Sequence, residues 1–287
     1  MTLKLGVMPV LAGRVGADPR ATAEFARLVE DLGCESLWTV EHVVIPETYA
    51  PVYPYDASGR MSLGAGDDVP DPLHWLTFAA AHTTELRLGT AMLILPEHNP
   101  VILAKRLTTV DALSGGRLIA GVGVGWLREE YDAVGVPFEH RGRRADEYLA
   151  AMRALWTSWP ASFHGEYVGF DAVHLEPRPV RPGGIPIVVG GHGPAAVRRA
   201  ARLGDGLYPL GVDLAGWAEL VDRLTVECGR IGRDPAEIEL TARAPGRPAD
   251  LQRLAELGVG RVVMRAYPDD LQRVRADITR YQKEVLG

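Results

Sequence analysis

The 287-residue sequence lacks several features that mark large classes of protein. It holds two cysteines, Cys34 and Cys228, which are far apart and have no histidine cluster near either. We therefore expect two small buried apolar side chains, and neither a disulfide framework nor a structural zinc site. No run of Lys and Arg occurs, and the formal net charge is −6. The charge pattern of a nucleic-acid-binding protein is thus missing.

Long apolar runs and metal motifs are missing as well. No stretch approaches the roughly 18 apolar residues of a membrane span. The start, Met1 to Leu5, leads directly into a strand-like run without the features of a signal peptide, so we expect a cytoplasmic protein. There is no Ser-His-Asp order, no paired-carboxylate spacing and no HExxH-like run, so we predict no metal site. Such a residue set suits a protein that positions a cofactor, which then supplies the chemistry.

The sequence does contain a regular alternation of short and long apolar segments. The short ones are rich in β-branched residues, and the long ones have helical periodicity. We predict strands at 3–8, 36–40, 86–95, 117–122, 185–189, 206–210, 238–242 and 261–265, and helices at 22–32, 73–84, 101–113, 195–203, 217–231, 249–257 and 271–285. Alternation of this kind requires parallel strands. Eight strands favour a single α/β domain over residues 1–287, a (β/α)8 TIM barrel, although an open sheet has the same pattern.

Two segments interrupt the repeat. Residues 46–71, after the second strand, are rich in Pro, Gly, Tyr and Asp. Loops after barrel strands lie at the active face, so we interpret this segment as a lid or substrate loop, the alternative being a disordered excursion. Residues 159–184 are typical of a short β-hairpin inserted before the fifth strand.

Glycine-rich turns follow two of the predicted strands. The turn Gly190-Gly191-His192-Gly193-Pro194-Ala195 opens a helix, where small residues and free amides can hold a phosphate; an ordinary tight turn is the alternative. The run Gly121-Val122-Gly123-Val124-Gly125-Trp126 allows close backbone approach at the barrel mouth. It is not a dinucleotide fingerprint, because GxGxxG would need glycine at Trp126.

Polar and aromatic residues at strand ends supply the other candidates. Glu41 and His42 end the second strand, where a histidine can donate to a ligand or relay a proton, or else fix the following loop. Trp126 is a candidate pocket residue or a core residue of the barrel top. Small residues Gly89, Thr90 and Ala91 on the third strand suggest room for a flat ligand, the alternative being close packing of a helix. We expect the scattered loop histidines to be solvated: His98, His140, His164 and His174.

The ordered combination of these motifs resembles the bacterial-luciferase-like superfamily. The similarity covers nearly the whole chain and rests on Leu88-Gly89-Thr90, Pro96, Asn99-Pro100, Ala104-Lys105, Asp111-Ala112-Leu113-Ser114-Gly115-Gly116-Arg117, Gly121 to Trp126, Glu130-Tyr131, Gly135-Val136, Arg141-Gly142 and Glu147. Further motifs are similar to the actinobacterial branch that uses the deazaflavin coenzyme F420: Tyr53-Pro54-Tyr55, Gly59-Arg60 and Asp71-Pro72.

The resemblance implies a cofactor ring at the carboxyl-terminal mouth of the barrel. It implies a non-proline cis peptide at Ala91-Met92 behind the ring, and His42 near it. The cofactor-binding set that follows from the motifs and the resemblance is Thr90, Ala91, Met92, Gly123, Gly125, Gly191, His192, Gly193, Pro194 and Ala195. A sugar-phosphate dehydrogenase subgroup has a catalytic Glu where this chain has Trp126, and Asp where it has Glu41, which argues against that reaction.

We therefore hypothesise hydride transfer between reduced F420 and a small organic substrate, reducing a C=C or C=N bond. His42 is the first candidate for the proton donor, with Glu41 second, and Trp126 completes the catalytic set. The loop 46–71 would close over the substrate with Tyr49, Tyr53, Tyr55 and Arg60. The alternatives are an FMNH2-dependent two-component monooxygenase with a separate cofactor reductase, and a non-catalytic flavin-binding relative. The resemblance also implies a homodimer, and the apolar helix 73–84 either contributes to that contact or faces the barrel of its own subunit.

Overall fold

The computed structural model describes residues 3–11, 15–64 and 66–287. The first two residues, and Ala65 of the predicted substrate loop, lie outside these ranges. The strands are β1 (Lys4–Pro9), β2 (Ser36–Thr39), β3 (Arg87–Thr90), β4 (Leu93–Ile94), β5 (Leu118–Gly123), β6 (Ala161–His164), β7 (Gly169–Val173), β8 (Ile187–Gly190), β9 (Gly206–Tyr208), β10 (Glu239–Arg243) and β11 (Val259–Ala266).

Helices flank the strands in the expected order. They are α1 (Pro19–Asp31), α2 (Pro72–Ala80), α3 (Pro100–Leu113), α4 (Arg128–Val134), α5 (Arg141–Thr157), α6 (Pro194–Leu203), α7 (Leu214–Gly229), α8 (Pro248–Glu256) and α9 (Leu271–Tyr281). Several begin at a side chain that accepts from free backbone amides of the first turn, as Asp18 does for α1 and Asn99 for α3. Such caps are worth about 1 kcal/mol each and fix where the helix starts.

The parallel strands close into a barrel, which confirms the predicted TIM-barrel fold. The order around it is β1, β2, β3 with its continuation β4, β5, β8, β9, β10 and β11, and β11 pairs with β1. The pairings β1–β2, β3–β5 and β8–β9 are all parallel. The antiparallel hairpin β6–β7 lies outside the barrel, between α5 and β8.

Two apolar clusters stabilise the barrel. The larger one joins the outer faces of the strands to the helices and includes both buried cysteines. The smaller one fills the lumen, and we call it the lumen plug: Trp38, Ala91, Ile119, Val188, Tyr208 and Val263. The indole of Trp38 meets Tyr208 edge to face, with ring centroids 5.6 Å apart. A barrel of eight strands is just wide enough for side chains to fill, so the lumen is a packed core and not a channel.

Charged side chains seal the amino-terminal end of the lumen. The fully buried guanidinium of Arg261 donates to both carboxylate oxygens of Glu35, at 2.8 Å each, and lies 2.7 Å from Glu239. Lys4 also pairs with Glu239. We call Arg261, Glu35, Glu239 and Lys4 the basal ion cluster. A cavity of about 370 Å³ lies on the same side, next to Arg87 and Arg153.

The structure corrects the predicted elements in two places. The third strand was predicted as continuous over 86–95, but it is interrupted after Thr90 and resumes at Leu93. Helices α4 and α5 were not predicted.

The proposed contact helix, α2, buries Trp75, Leu76 and Ala79 in the core of its own subunit and leaves Phe78 partly exposed. The homodimer therefore stays a prediction.

Candidate functional site at the carboxyl-terminal mouth

The floor of the barrel mouth is the segment between β3 and β4. The peptide bond Ala91-Met92 is cis, as the family resemblance implied. The backbone is held on both sides: the Ala91 amide donates to the Thr39 carbonyl at 2.7 Å, and the Thr90 hydroxyl donates to the Gly121 carbonyl at 2.7 Å. The floor is thus tied to the neighbouring strands β2 and β5.

Glycines around this floor make room for the side chain of Met92. A Cβ added at Gly190 would lie 2.6 Å from Met92 Cγ, and one at Gly121 would lie 3.0 Å from its sulfur. The nearest contact of a Cβ at Gly123 would also be Met92, at 3.3 Å. Three of the mouth glycines therefore contact this flexible side chain, which lies across the lumen above the plug.

Gly125, the fourth candidate glycine of this region, has a different role. Its φ of +63° lies in the left-handed region, and a Cβ there would come within 2.7 Å of Ile94 and 3.1 Å of Tyr131. Packing and backbone conformation therefore explain the glycine, and a contact with the cofactor stays a prediction.

His42 is held by a buried carboxylate. Its Nδ1 lies 3.0 Å from Glu130 Oε2, and the same carboxylate accepts from the amides of Val43 at 2.5 Å and Val44 at 3.4 Å. An ionised carboxylate can only accept, so Nδ1 carries the hydrogen and Nε2 is the basic nitrogen. Among the described residues no partner contacts Nε2, and the imidazole is 12% exposed. This nitrogen is free to exchange a proton at the mouth.

Glu41, unlike His42, is buried and has both of its carboxylate oxygens bound to other groups. Its carboxylate accepts from the Ile94 amide at 2.5 Å and contacts His98 Nε2 at 3.0 and 3.1 Å. It thereby joins the end of β2 to the segment after β4. The expectation that His98 is solvated is wrong, because its side chain is only 15% exposed and is bound to this carboxylate.

A third carboxyl group, Glu97, lies near these two glutamates. Both of its side-chain oxygens are buried without a hydrogen-bond partner among the described residues. Burial, together with the charges of Glu130 and Glu41, raises the pKa of Glu97 to about 9. The carboxyl group is therefore neutral at physiological pH.

The N-terminus of α6 has the local geometry that binds an anion. Gly193 is the N-cap residue, no side chain caps the helix, and Pro194 occupies the first turn. Gly191 has a φ of +100°, which only glycine adopts readily, and a Cβ at Gly193 would meet nothing within 4 Å. The amides after Pro194, starting with Ala195, are thus not occupied by a capping side chain and border open space.

A row of rings crosses the mouth, and three of its rings come from the loop 46–71. Trp126 meets Tyr49 and Tyr53 edge to face at 5.5 and 5.0 Å. Tyr53 meets Tyr55 at 5.3 Å, and Tyr55 meets His192 at 6.1 Å. We call these five residues the aromatic row; it connects the end of β5 to the turn after β8.

Most of the predicted site residues lie around this one mouth. Arg60 lies over the ring of Tyr49, with its guanidinium carbon 5.5 Å from the ring centre. The imidazole of His192 is hydrogen-bonded to the Leu210 carbonyl at 3.1 Å. From the sequence, Glu130 was named only as part of a family motif, and both the pairing of Glu130 with His42 and the carboxyl group of Glu97 were missed. No spacing rule could have paired positions 42 and 130, because only the closed barrel brings them together.

The model of the luciferase-like monooxygenase family matches residues 4–281, so the chain belongs to that family. It is an oxidoreductase of the luciferase-like class. An uncharacterized protein of Mycobacterium tuberculosis is 36% identical over 84% of this chain and 85% of its own length. Within the described residues, no helix is long and apolar enough to cross a membrane, and no cluster of potential metal ligands occurs.

Relatives with stated activities use two different cofactors. An F420-dependent glucose-6-phosphate dehydrogenase of Kineococcus radiotolerans is 32% identical over 66% of this chain and 51% of its own length. An FMNH2-dependent dimethylsulfone monooxygenase of Pseudomonas putida is also 32% identical, over 60% of this chain and 48% of its own. An F420-dependent secondary alcohol dehydrogenase, solved with an F420-acetone adduct, superposes with a TM-score of 0.79 at 18% identity, covering 99% and 98% of the two chains. At that identity the likeness shows the fold alone.

Proposed function

We propose that this chain transfers a hydride between reduced coenzyme F420 and a small organic substrate, reducing a C=C or C=N bond. The observation that carries the proposal is the uncapped N-terminus of α6 at the same mouth as the His42–Glu130 pair. The first fits a cofactor phosphate, and the second fits a proton transfer that accompanies hydride addition.

The residues at the mouth fit a phosphorylated ring cofactor. Gly191 and Gly193 leave the backbone of the turn accessible, and the amides of α6 supply donors together with the positive end of the helix dipole. Ala91 and Met92 offer an apolar floor on which a flat ring can lie. An F420-dependent relative supports the deazaflavin, and FMN is the alternative because an FMNH2-dependent relative is equally identical.

The chain's own residues would orient the reactants and move the proton. When bound, the reduced deazaflavin supplies the hydride. His42 Nε2 delivers the proton to the substrate atom that does not receive the hydride, and Glu130 holds the imidazole in the required tautomer. Tyr49, Tyr53 and Tyr55 cover the mouth and exclude water. Glu41, committed to Ile94 and His98, is the weaker candidate for the donor.

A charge placed at the N-cap of α6 tests the phosphate site. In Gly193→Asp the new carboxylate caps the helix and repels a phosphate, so we expect cofactor affinity to fall at least 100-fold, measured by deazaflavin fluorescence titration. In the matched control Gly193→Asn, the new side chain has the size and capping ability of aspartate without its charge. This variant should lose much less cofactor affinity than Gly193→Asp. Because the added side chain meets open space, both variants should keep the wild-type melting temperature.

The same titration distinguishes the cofactors. Unchanged deazaflavin affinity in Gly193→Asp would rule out this phosphate site. Tight FMN binding together with oxygen consumption in the presence of a separate flavin reductase would instead favour the two-component monooxygenase, and binding without turnover of any acceptor would favour a non-catalytic relative. F420 binding with anaerobic turnover of an unsaturated acceptor is the expected result.

A further inference from the structure

Two arginines face the lumen at its open end. On β11, Arg261 lies over the ring of Trp38 and Val263 belongs to the lumen plug. Side chains alternate along a strand, so Arg265, two residues further on, faces the lumen as well. On β10, Thr241 contacts Arg261 inside the lumen, at 3.3 Å. The same alternation places Arg243, the last residue of β10, on the lumen side.

The two side chains rise from neighbouring strands close to each other. Arg243 is opposite Val263 in the parallel register of β10 and β11, two residues before Arg265. Strand spacing and rise per residue then put their Cα atoms about 8 Å apart. The flexible side chains of two arginines at this distance can converge on one small ligand. We call Arg243 and Arg265 the mouth arginines.

No carboxylate neutralises the mouth arginines. Among the residues that the structure describes, neither has an acidic group within ion-pair distance, and both side chains are exposed. Arg261, on the same strand at the closed end of the lumen, is paired with both Glu35 and Glu239. The open end of the barrel thus has two like charges without a counter-charge, an arrangement that attracts anions.

Two tyrosines, Tyr53 of the loop 46–71 and Tyr208 of the lumen plug, lie near this pair. Burial raises the pKa of the Tyr53 phenol, and the nearby guanidinium of Arg265 opposes the rise. Burial likewise raises the pKa of Tyr208, against the effect of both mouth arginines. Arg265 is therefore near the loop side chain Tyr53, and both arginines are near the lumen-plug ring Tyr208. An anion held there would lie beneath the aromatic row.

The mouth arginines are separate from the proposed phosphate site. The turn before α6 follows β8, whereas the arginines end β10 and β11, and β9 lies between. Going round the barrel, β11 is followed by β1 and β2, and His42 lies just after β2. A ligand bound by the arginines therefore has the proton-donating histidine on one side and the cofactor turn on the other.

We propose that Arg243 and Arg265 bind an anionic group, a carboxylate or phosphate, of the substrate, so that this protein reduces small unsaturated organic anions. This inference rests on the proposed oxidoreductase function and adds the substrate class to it. The anion anchors one end of the substrate and leaves its unsaturated bond over the floor at Ala91, within the reach of His42. Charge-assisted bonds from two guanidinium groups supply both affinity and orientation.

The test is equilibrium binding of simple anions to the cofactor-free chain. Titration calorimetry would compare inorganic phosphate, acetate and cinnamate, with cinnamamide as the neutral match of cinnamate, on the wild type and on the double variant Arg243→Gln/Arg265→Gln. A control double variant, Arg223→Gln/Arg275→Gln, removes two charges from the outer helices α7 and α9. We expect at least one anion to bind the wild type tenfold more tightly than the double variant, with cinnamamide binding unchanged.

Two results would overturn the proposal. One is that none of the three anions distinguishes the wild type from the double variant. The other is that the double variant loses tenfold or more in deazaflavin affinity, which would assign the arginines to the acidic tail of the cofactor and not to the substrate. Phosphate bound at the N-terminus of α6 would bind the wild type and the double variant equally, so the difference between the two proteins reports on the arginines alone. An unchanged melting temperature is expected, because neither arginine has an ion-pair partner to lose within residues 3–11, 15–64 and 66–287.

Discussion

Replacing Glu97 by Gln should stabilise the protein, and the effect should grow with pH. The carboxyl group of Glu97 is buried without a partner and lies near two other glutamates, which raises its pKa to about 9 from an ordinary value of 4.5. The folded state therefore binds a proton that the unfolded state releases between these two values. By linkage, the free energy of unfolding falls as pH rises through this window.

The size of the effect follows from the width of that window. Between pH 4.5 and 9, each pH unit lowers the free energy of unfolding by up to about 1.4 kcal/mol, so the loss would reach nearly 5 kcal/mol at pH 8. The residue as a whole is only partly buried, so solvent screening reduces this to about 1–2 kcal/mol. Glutamine has the same shape and never ionises, so Glu97→Gln avoids the loss. At pH 5 the two proteins should differ by only a few tenths of a kcal/mol.

Urea unfolding at pH 5, 6, 7 and 8 would measure this difference. The control is Glu219→Gln, which changes an exposed glutamate on the outer face of α7 and should follow the wild type at every pH. Parallel stability curves for the wild type and Glu97→Gln would refute the reasoning. They would mean that the carboxyl group ionises normally, by water entry or by a local rearrangement of the segment after β4.

Two further variants test the mouth directly. His42→Asn should lower kcat by about 10² to 10⁴ and leave deazaflavin affinity within twofold of the wild type. The control His82→Asn, beyond the end of α2, should have no effect. Equal rates for the wild type and both variants would remove His42 from the mechanism. Gly121→Ala places a Cβ 1.7 Å from the Thr90 carbonyl oxygen and should lower the free energy of unfolding in urea by about 3 kcal/mol. In the control Gly229→Ala the added Cβ meets nothing within 4 Å. Equal stability of the two variants would contradict the packing described for the floor.

The barrel could be predicted because its signals are local. The barrel strands are short and mostly apolar, and several helices begin at an acidic or amide cap or at proline, so that periodicity and start signals agree. Helices α4 and α5 lack that agreement. The N-cap residues Leu127 and His140 make no capping bond, and His140 has a φ of +60°, so neither start has a sequence signature. The break in the third strand depends on contacts with β2 and β5, which no local pattern encodes.

The candidate site was predictable only in part, and for the same reason. His42, Trp126 and the turn at Gly193 were identified because each ends a strand, and strand ends meet at one face of a barrel. Their partners come from elsewhere in the chain. Glu130 reaches His42 across 88 positions, and Glu97 acquires its raised pKa from burial and from charges that only the fold brings close. The position of a residue at a strand end predicts on which face of the barrel it lies. Its hydrogen-bond partners and the burial of its charge can be read only from the folded chain.

The basal ion cluster and the lumen plug close the barrel from its amino-terminal end, so that its binding region opens only at the carboxyl-terminal mouth. Whatever binds beneath the aromatic row has to arrive and depart across the same opening, past the loop 46–71. Two ligands that share one entrance and lie one above the other exchange in a fixed sequence, with the last to enter being the first to leave. On the function proposed above, an abundant substrate would slow the release of the cofactor underneath it, and the loop 46–71 would control the exchange of both.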